Sequence, residues 1–454
     1  MKEIKNIGSR REVFFDEWLI DKMEGVNLKL HHPQPEEVVL EYNQPWEGIA
    51  SAVETVFKDG DIFRMYYRGL DFDIKTEKMT HPAFTCYAES TDGINWIKPE
   101  LNLYEFNGSK KNNIILEGFC SNTFTPFIDT NPSAKPEERY KAVAEGRVDD
   151  KPVLFAFVSA DGIHWKMWKE EPIITKGAFD SQNLAFYDNL RKMYFEYHRG
   201  WTEGLYKGIR AIMVSTSDDF ENWTDPEFLT YIDSPEEHLY TNGIMPYYRA
   251  PHIFIGFPMR FVPERKKGDH LYGGVSDVVF MTSRDGRIWK RYNEAFLRPG
   301  LQPERWINRN NALAWGMIET KSKLNPGQTE ISLYSIEAYY IPGNRLRRFT
   351  IRLDGFVSVH ATDKTGYFIT HPIIFDGDKL ILNYSTSAAG FIKVEILDEE
   401  CKLIEPYTAE LYGDSTEEEV VWDSQNNLTQ VKGKPVRLKF TMKDADLYSI
   451  CFKR

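Results

Sequence analysis

The chain has 454 residues and a formal net charge of −12, a length that admits two or three domains. The negative charge argues against nucleic acid, which needs a basic patch to displace counterions. No apolar run approaches the ~18 residues needed to span a bilayer, so neither nucleic acid nor membrane is an expected partner. Aromatic residues are abundant, with 11 Trp, 24 Tyr and 29 Phe; all-β proteins use them in cross-strand pairs.

At the N-terminus, residues 1–15 are polar and charged, with no apolar core of a signal peptide. The expectation is a cytoplasmic protein if the chain is complete, and a periplasmic or secreted one if a leader has been removed. Within this stretch, Glu12-Val13-Phe14-Phe15 reads as a strand.

Strand–turn–strand patterns follow at intervals. The first runs from Val56-Phe57 through Asp59-Gly60 to Met65-Tyr66-Tyr67-Arg68. The second starts at Pro126-Phe127 and returns at Arg139-Tyr140-Lys141. The third is Ala185-Phe186-Tyr187 with Met193-Tyr194-Phe195, and the fourth is Pro246-Tyr247-Tyr248 with Ile253-Phe254-Ile255. A fifth, with a longer turn, joins residues 315–320 to residues 330–340.

A second element punctuates these hairpins. Ser90-Thr91-Asp92-Gly93-Ile94-Asn95-Trp96 recurs as Ser159-Ala160-Asp161-Gly162-Ile163-His164-Trp165, and again as Ser283-Arg284-Asp285-Gly286-Arg287-Ile288-Trp289. Ser217-Asp218-Asp219-Phe220-Glu221-Asn222-Trp223 is a looser copy. Serine ends a strand, Asp-Gly makes a tight turn with Gly free to take positive φ, and Trp opens the next strand. The motif resembles the Asp-box turn of sialidases without the residue between Asp and Gly, and its aspartates read as scaffold. Such repetition predicts a five-bladed β-propeller over residues 1–362, with blades near 40–105, 112–173, 178–232, 240–298 and 308–360. Residues 12–15 would join the last blade and remove its free edge.

Beyond residue 362 short alternating strands recur, as in Leu380-Ile381-Leu382 and Val436-Arg437-Leu438, with Asp376-Gly377 and Lys432-Gly433 turns between them. Residues 363–454 are therefore expected to form a β-sandwich. The four cysteines, Cys86, Cys120, Cys401 and Cys451, have neither zinc-site nor disulfide-framework spacing.

Propeller plus sandwich resembles the glycoside hydrolases of families 32 and 43. Ala388-Ala389-Gly390-Phe391-Ile392-Lys393-Val394-Glu395 and Gly433-Lys434-Pro435-Val436-Arg437-Leu438-Lys439-Phe440 are similar to their sandwich. The Asn-Asp-Pro and Arg-Asp-Pro tripeptides of family 32 are absent, and its Glu-Cys dipeptide has no counterpart in residues 1–362. The resemblance implies an O-glycosyl hydrolase that acts on a carbohydrate substrate at one end of a glycan, in a funnel lined by the innermost strands. It implies no required cofactor; a structural calcium ion in the channel has no support in the sequence. A phosphate-dependent phosphorylase like those of family 130, or a carbohydrate-binding scaffold, are the alternatives.

Glycoside hydrolysis generally uses two carboxyl groups that flank the scissile bond. Aligning the five hairpins places Ser51, Ser121-Asn122, Asp180, Asn242 and Asn310-Asn311 at the funnel entries. Glu47, Asp180 and Glu237 match the family 43 layout of acids and are the expected catalytic residues, although Glu47 stands where that family has Asp. Asp180 alternatively reads as a turn residue, Glu237 as part of a solvated charged loop and Glu47 as an ion-pair partner. Asn122, His238, Asn242, Asp277, Asn310 and the arginines Arg68, Arg199, Arg260 and Arg309 are the expected substrate-binding residues, with Glu319 in reserve. A ring of arginines suits an acidic sugar or phosphate, or else neutralises the funnel carboxylates. His238, His252 and His270 lack metal-ligand spacing, and no metal site is expected.

Overall fold

A computed structural model describes residues 3–423 and 427–454. The protein is all-β: among the described residues the only helical elements are three 3₁₀ turns, Pro136–Glu138, Pro303–Trp306 and Leu428–Gln430. The chain divides into two compact units. One comprises residues 33–247 and 252–351, the other residues 1–32, 248–251 and 352–454.

The larger unit has a propeller-like arrangement with four four-stranded sheets. In the first, Ala52–Asp59, Ile62–Gly69, Phe84–Ser90 and Ile114–Glu117 pair in that order. Thr125–Ile128, Tyr140–Val148, Lys151–Ser159 and Lys166–Met167 form the second, and Leu184–Asp188, Met193–Trp201, Arg210–Ser217 and Glu227–Phe228 the third. Ile318–Lys321, Thr329–Glu337 and Arg345–Ile351 take Gln34–Glu41 as their fourth strand. Between the third sheet and this one lies a seven-stranded sheet, in which Val275–Ser283 and Ile288–Leu297 are central and Thr230–Ile232 pairs in parallel with Ile288–Leu297. The hairpins follow from alternation: in Ile62–Gly69, Phe63, Met65 and Tyr67 point into one packed cluster while Tyr66 packs into another.

The Asp-Gly turns act as rivets between sheets. The Asp92 carboxylate accepts from the backbone N–H of Ile94 (2.8 Å) and Asn95 (2.7 Å), and Gly93 sits at φ +72°. Burial opposes ionisation there, but the donated hydrogen bonds prevail and hold Asp92 at about 2. In three of the turns the Gly carbonyl accepts a tyrosine hydroxyl from the adjacent sheet: Tyr334 to Gly93 (2.6 Å), Tyr66 to Gly162 (3.0 Å) and Tyr197 to Gly286 (3.0 Å). A Cβ at Gly93 would lie 2.5 Å from Ile318, so glycine is required there for space as well as for φ.

The strand that joins the last sheet is not the expected one. Glu12–Val13 pairs instead with Arg437–Lys453, in the smaller unit. Gln34–Glu41, a strand of eight residues, takes the edge of the last sheet through five paired positions, from Arg345↔Glu41 to Thr350↔Gln34. Phe14 is buried beside Phe368, centroids 5.4 Å apart. The smaller unit holds a nine-stranded sheet built on the long strands Lys379–Leu397 and Arg437–Lys453, around a core that includes Phe368, Tyr407, Trp422, Phe440 and Phe452. It therefore recruits the first 32 residues of the chain, and the boundary differs from a cut at residue 362.

Candidate functional site

A cavity of about 280 Å³ lies in the larger unit, where strand entries converge. Ala52, Val53 and Glu54 reach it from the first sheet, Asn122 and Thr123 from the second, Asp180, Ser181 and Gln182 from the third, and Ala312 and Leu313 from the entry to the last. Tyr240, Thr241 and Met259 contribute from the seven-stranded region, with Arg68, Arg309, Tyr339 and Tyr340 completing the wall. Three of these residues hold left-handed backbone without being glycine: Val53 at φ +65°, Arg309 at +58° and Tyr340 at +65°. Each such conformation costs about 1–3 kcal/mol, and for a β-branched residue it is an outlier. The ladder between Ala52–Asp59 and Ile62–Gly69 loses register between Ala52 and Thr55. Glu54 falls within that irregular stretch.

Two acidic residues, Glu54 and Asp180, are among those that line the cavity. Asp180 is about a third exposed, at 37%, and forms an ion pair with Arg199. Glu54 is buried, accepts the Tyr42 hydroxyl, and is pushed above the usual carboxylate range by burial, against the pull of Tyr42 and Arg68. A third carboxyl, Glu145 on Tyr140–Val148, lies behind Thr123, whose hydroxyl accepts its backbone N–H (2.9 Å). Burial raises its pKa first, the charge of Asp180 raises it further, and Arg147 and Arg199 pull the other way. Asp180 is thus ion-paired and partly exposed, whereas burial holds Glu54 and Glu145 toward the neutral form.

Basic and aromatic groups are interleaved around these acids. Arg68 donates to the Ala50 carbonyl (2.8 and 3.1 Å), Asn122 Oδ1 (3.1 Å) and the Tyr339 hydroxyl oxygen (2.9 Å). Arg309 donates to Asn308 Oδ1 (2.6 Å) and the Tyr240 hydroxyl oxygen (3.4 Å), and its guanidinium lies 4.7 Å from the Tyr340 ring centroid. Arg199 stacks on Tyr240 at 4.6 Å, and Arg210 approaches the same ring at 5.4 Å. Burial opposes ionisation of the Tyr240 phenol, but Arg309 and Arg199 outweigh it and its pKa falls below 10.0.

Of the residues expected from sequence, Asp180, Asn122, Arg68 and Arg309 come together in this cavity and Arg199 stands directly behind Asp180. Glu47 does not join them. It is buried, with its oxygens committed to the Tyr67 hydroxyl (2.6 Å), Lys98 (2.7 Å) and the Gln44 N–H (3.0 Å). Glu237 is drawn away by Arg260 (3.3 Å) and Arg291 (3.0 Å) and lines a different pocket. Arg260 is clamped by Asp277 through two hydrogen bonds (2.9 and 2.7 Å), so neither residue faces the cavity. His238 accepts from the Arg210 N–H (3.2 Å). Ser51, Asn242 and Asn310 are buried and bonded to nearby backbone: Asn310 to the Tyr339 carbonyl (3.2 Å) and N–H (2.8 Å), Asn242 to the Tyr197 carbonyl (3.3 Å). They shape the strand entries. Glu319 accepts the Thr329 hydroxyl on an exposed strand.

Glu54, Glu145, Tyr240 and Tyr339 were not anticipated. The signal for the two acids was a lone carboxyl inside an apolar strand, as in Ala142-Val143-Ala144-Glu145-Gly146. Among the described residues no group of three or more His, Cys, Asp or Glu is placed to hold a metal ion.

No family model and no curated protein matches the chain. Among solved structures it is similar to a protein described as a glycoside hydrolase, at 13% identity and a TM-score of 0.46, over 73% of this chain and 95% of that one. It is also similar to a family 43 arabinoxylan arabinofuranohydrolase from Bacillus subtilis (12% identity, TM-score 0.43, covering 91% and 97% of the two chains). A family 32 β-fructofuranosidase from Bombyx mori is similar over 94% of each chain, at 9% identity and a TM-score of 0.44.

Proposed function

We propose that this protein is a carbohydrate-active enzyme that cleaves a terminal glycosidic bond by hydrolysis, in the cavity where the strand entries converge. The seven-stranded sheet is read as the fifth blade of the propeller, and the unit around Lys379–Leu397 as a β-sandwich.

The observation that carries this reading is the pairing of Asp180 with Glu54 in one cavity. Glycosidic cleavage needs a proton delivered to the leaving oxygen and a carboxylate to activate water or attack the anomeric carbon. Glu54, held toward its neutral form by burial, is the proposed acid. Asp180, ion-paired and partly exposed, is the proposed base or nucleophile. Glu145, held toward its neutral form by burial and by the charge of Asp180, adds a second protonatable carboxyl beside the proposed base. Phe72 and Tyr340 supply apolar faces for a sugar ring. The volume of about 280 Å³ lies at the small end for small-molecule sites, roughly 300–1,000 Å³, which favours a single terminal residue.

The test is a panel of aryl glycosides and oligosaccharides assayed with the parent, Asp180→Asn and Glu54→Gln. Loss of turnover by about 10²-fold or more in both variants, with sugar binding retained, supports the assignment. A parent without turnover across the panel makes the protein a binding scaffold. The arginines without a carboxylate partner favour a second reading, phosphorolysis, in which turnover depends on inorganic phosphate.

A further inference from the structure

Two of the cavity's arginines have no carboxylate among their hydrogen-bond partners. Arg199 has Asp180 as a partner, whereas every hydrogen-bond acceptor of Arg68 and Arg309 among the described residues is neutral: a carbonyl, two amide oxygens and two tyrosine hydroxyls. Arg199 itself is only 3% exposed, and its Nε and Nη1 have no hydrogen-bond partner among the described residues. Arg210 is close enough that Arg199 and Arg309 together make its own charge harder to hold, after burial. Buried guanidiniums left without counter-charge are unfavourable unless something else supplies it.

The tyrosines show where that something sits. Arg68 donates to the Tyr339 oxygen and Arg309 to the Tyr240 oxygen. Each phenol therefore spends its lone pairs on arginine and keeps its O–H to donate. Both phenols line the cavity with both arginines. Two Arg–Tyr pairs thus present cationic N–H and hydroxyl donors to one space, and Arg309 is held there by a backbone conformation that few non-glycine residues adopt. Arginine forks match the planar geometry of an oxyanion.

We propose that the Arg68–Tyr339 and Arg309–Tyr240 pairs form an oxyanion-recognition site, which binds either the carboxylate of an acidic sugar or free phosphate. This rests on the reading of the cavity as a glycan site and names the chemical class of what enters it. Apolar walls at Leu70, Phe72 and Met79 leave the arginines as the groups that discriminate.

Isothermal titration of the intact protein with glucuronate, galacturonate, glucose, galactose and inorganic phosphate tests it. An acidic-sugar site binds at least one uronate about tenfold or more tighter than its neutral counterpart, a difference of about 1.4 kcal/mol. A phosphate site binds phosphate and shows no such preference among sugars. In either case Arg309→Gln and Tyr339→Phe weaken anion binding by a larger factor than neutral-sugar binding, while Arg309→Lys retains part of the anion binding. Tyr339→Phe removes one hydroxyl only and guards against a variant that fails to fold. Equal binding of uronate and neutral sugar, with no binding of phosphate, overturns the proposal. Turnover by the parent separates the two readings: turnover on neutral glycosides that Asp180→Asn abolishes, without anion binding, leaves the enzyme and removes the oxyanion site. Uronate binding in a parent that turns nothing over does the reverse.

Discussion

Replacing Glu47 by Gln separates a scaffold acid from a catalytic one. The Glu47 side chain is buried and ties three segments together: the Gln44–Glu47 turn, Tyr67 on the second strand of the first sheet, and Lys98 beyond its third. Gln keeps the volume and one acceptor oxygen but removes the charge. Breaking a fully buried ion pair costs about 3–5 kcal/mol. Lys98 retains 16% exposure, so water relieves part of its orphaned charge, and the amide oxygen still serves Tyr67 or Gln44. The expected loss is about 2–3 kcal/mol, or roughly 5–10 °C in Tm for a domain of this size. Differential scanning fluorimetry measures the shift, and turnover is measured below both transitions. Turnover per folded molecule is expected to stay within about twofold of the parent, while Asp180→Asn removes turnover even below its own transition, which is expected to fall because Arg199, 3% exposed, loses its counter-charge. A Glu47→Gln variant with unaltered Tm and abolished turnover would refute the assignment of the two acids.

Three further outcomes follow from the geometry. Gly316 sits at φ +108°, where a Cβ would lie 1.8 Å from the Val56 carbonyl oxygen, so Gly316→Ala should cost about 3 kcal/mol or more from strain and displacement together. Its thermal unfolding and its far-ultraviolet circular dichroism check this, and a Tm within 2–3 °C of the parent would contradict it. Glu145 has a folded pKa above 4.5, so the unfolded chain sheds its proton first as pH rises. Parent stability therefore falls, relative to Glu145→Gln, from pH 4.5 up to the folded pKa, and the two proteins converge below that window. Tm series over roughly pH 4 to pH 8 read the crossing, and parallel curves would exclude it. Tyr240, drawn below 10.0 by Arg309 and Arg199 against burial, should contribute the earliest tyrosinate absorbance on alkaline titration; in Tyr240→Phe that first step is expected to vanish.

Regularities of spacing were legible because they are local. Each Asp-Gly-Trp turn is written in seven consecutive residues, and each hairpin in two alternating stretches, so period and punctuation sufficed to find them. Asp180 and Asn122 were found because strand entries recur at a fixed offset from the aromatic that opens each hairpin. The same offset picked out Asn242 and Asn310, whose amides are consumed by neighbouring backbone. An offset places a residue at a depth; hydrogen bonding decides whether its side chain is spent on the scaffold.

The remaining assignments depended on partners distant in the chain. Glu47 and Glu54 are seven residues apart, of the same type, and both buried; Lys98 claims the first, and the second lines the cavity from a stretch of broken strand register. The strand edge at Arg345–Ile351 went to residues 34–41, and residues 12–13 went to the other unit. By itself the sequence determined an all-β chain of repeated, riveted hairpins with polar strand entries, because alternation and turn chemistry act over a few residues. Which carboxyls and which arginines share a cavity was decided only by tertiary structure, because charge pairing and burial join residues separated by tens to hundreds of positions.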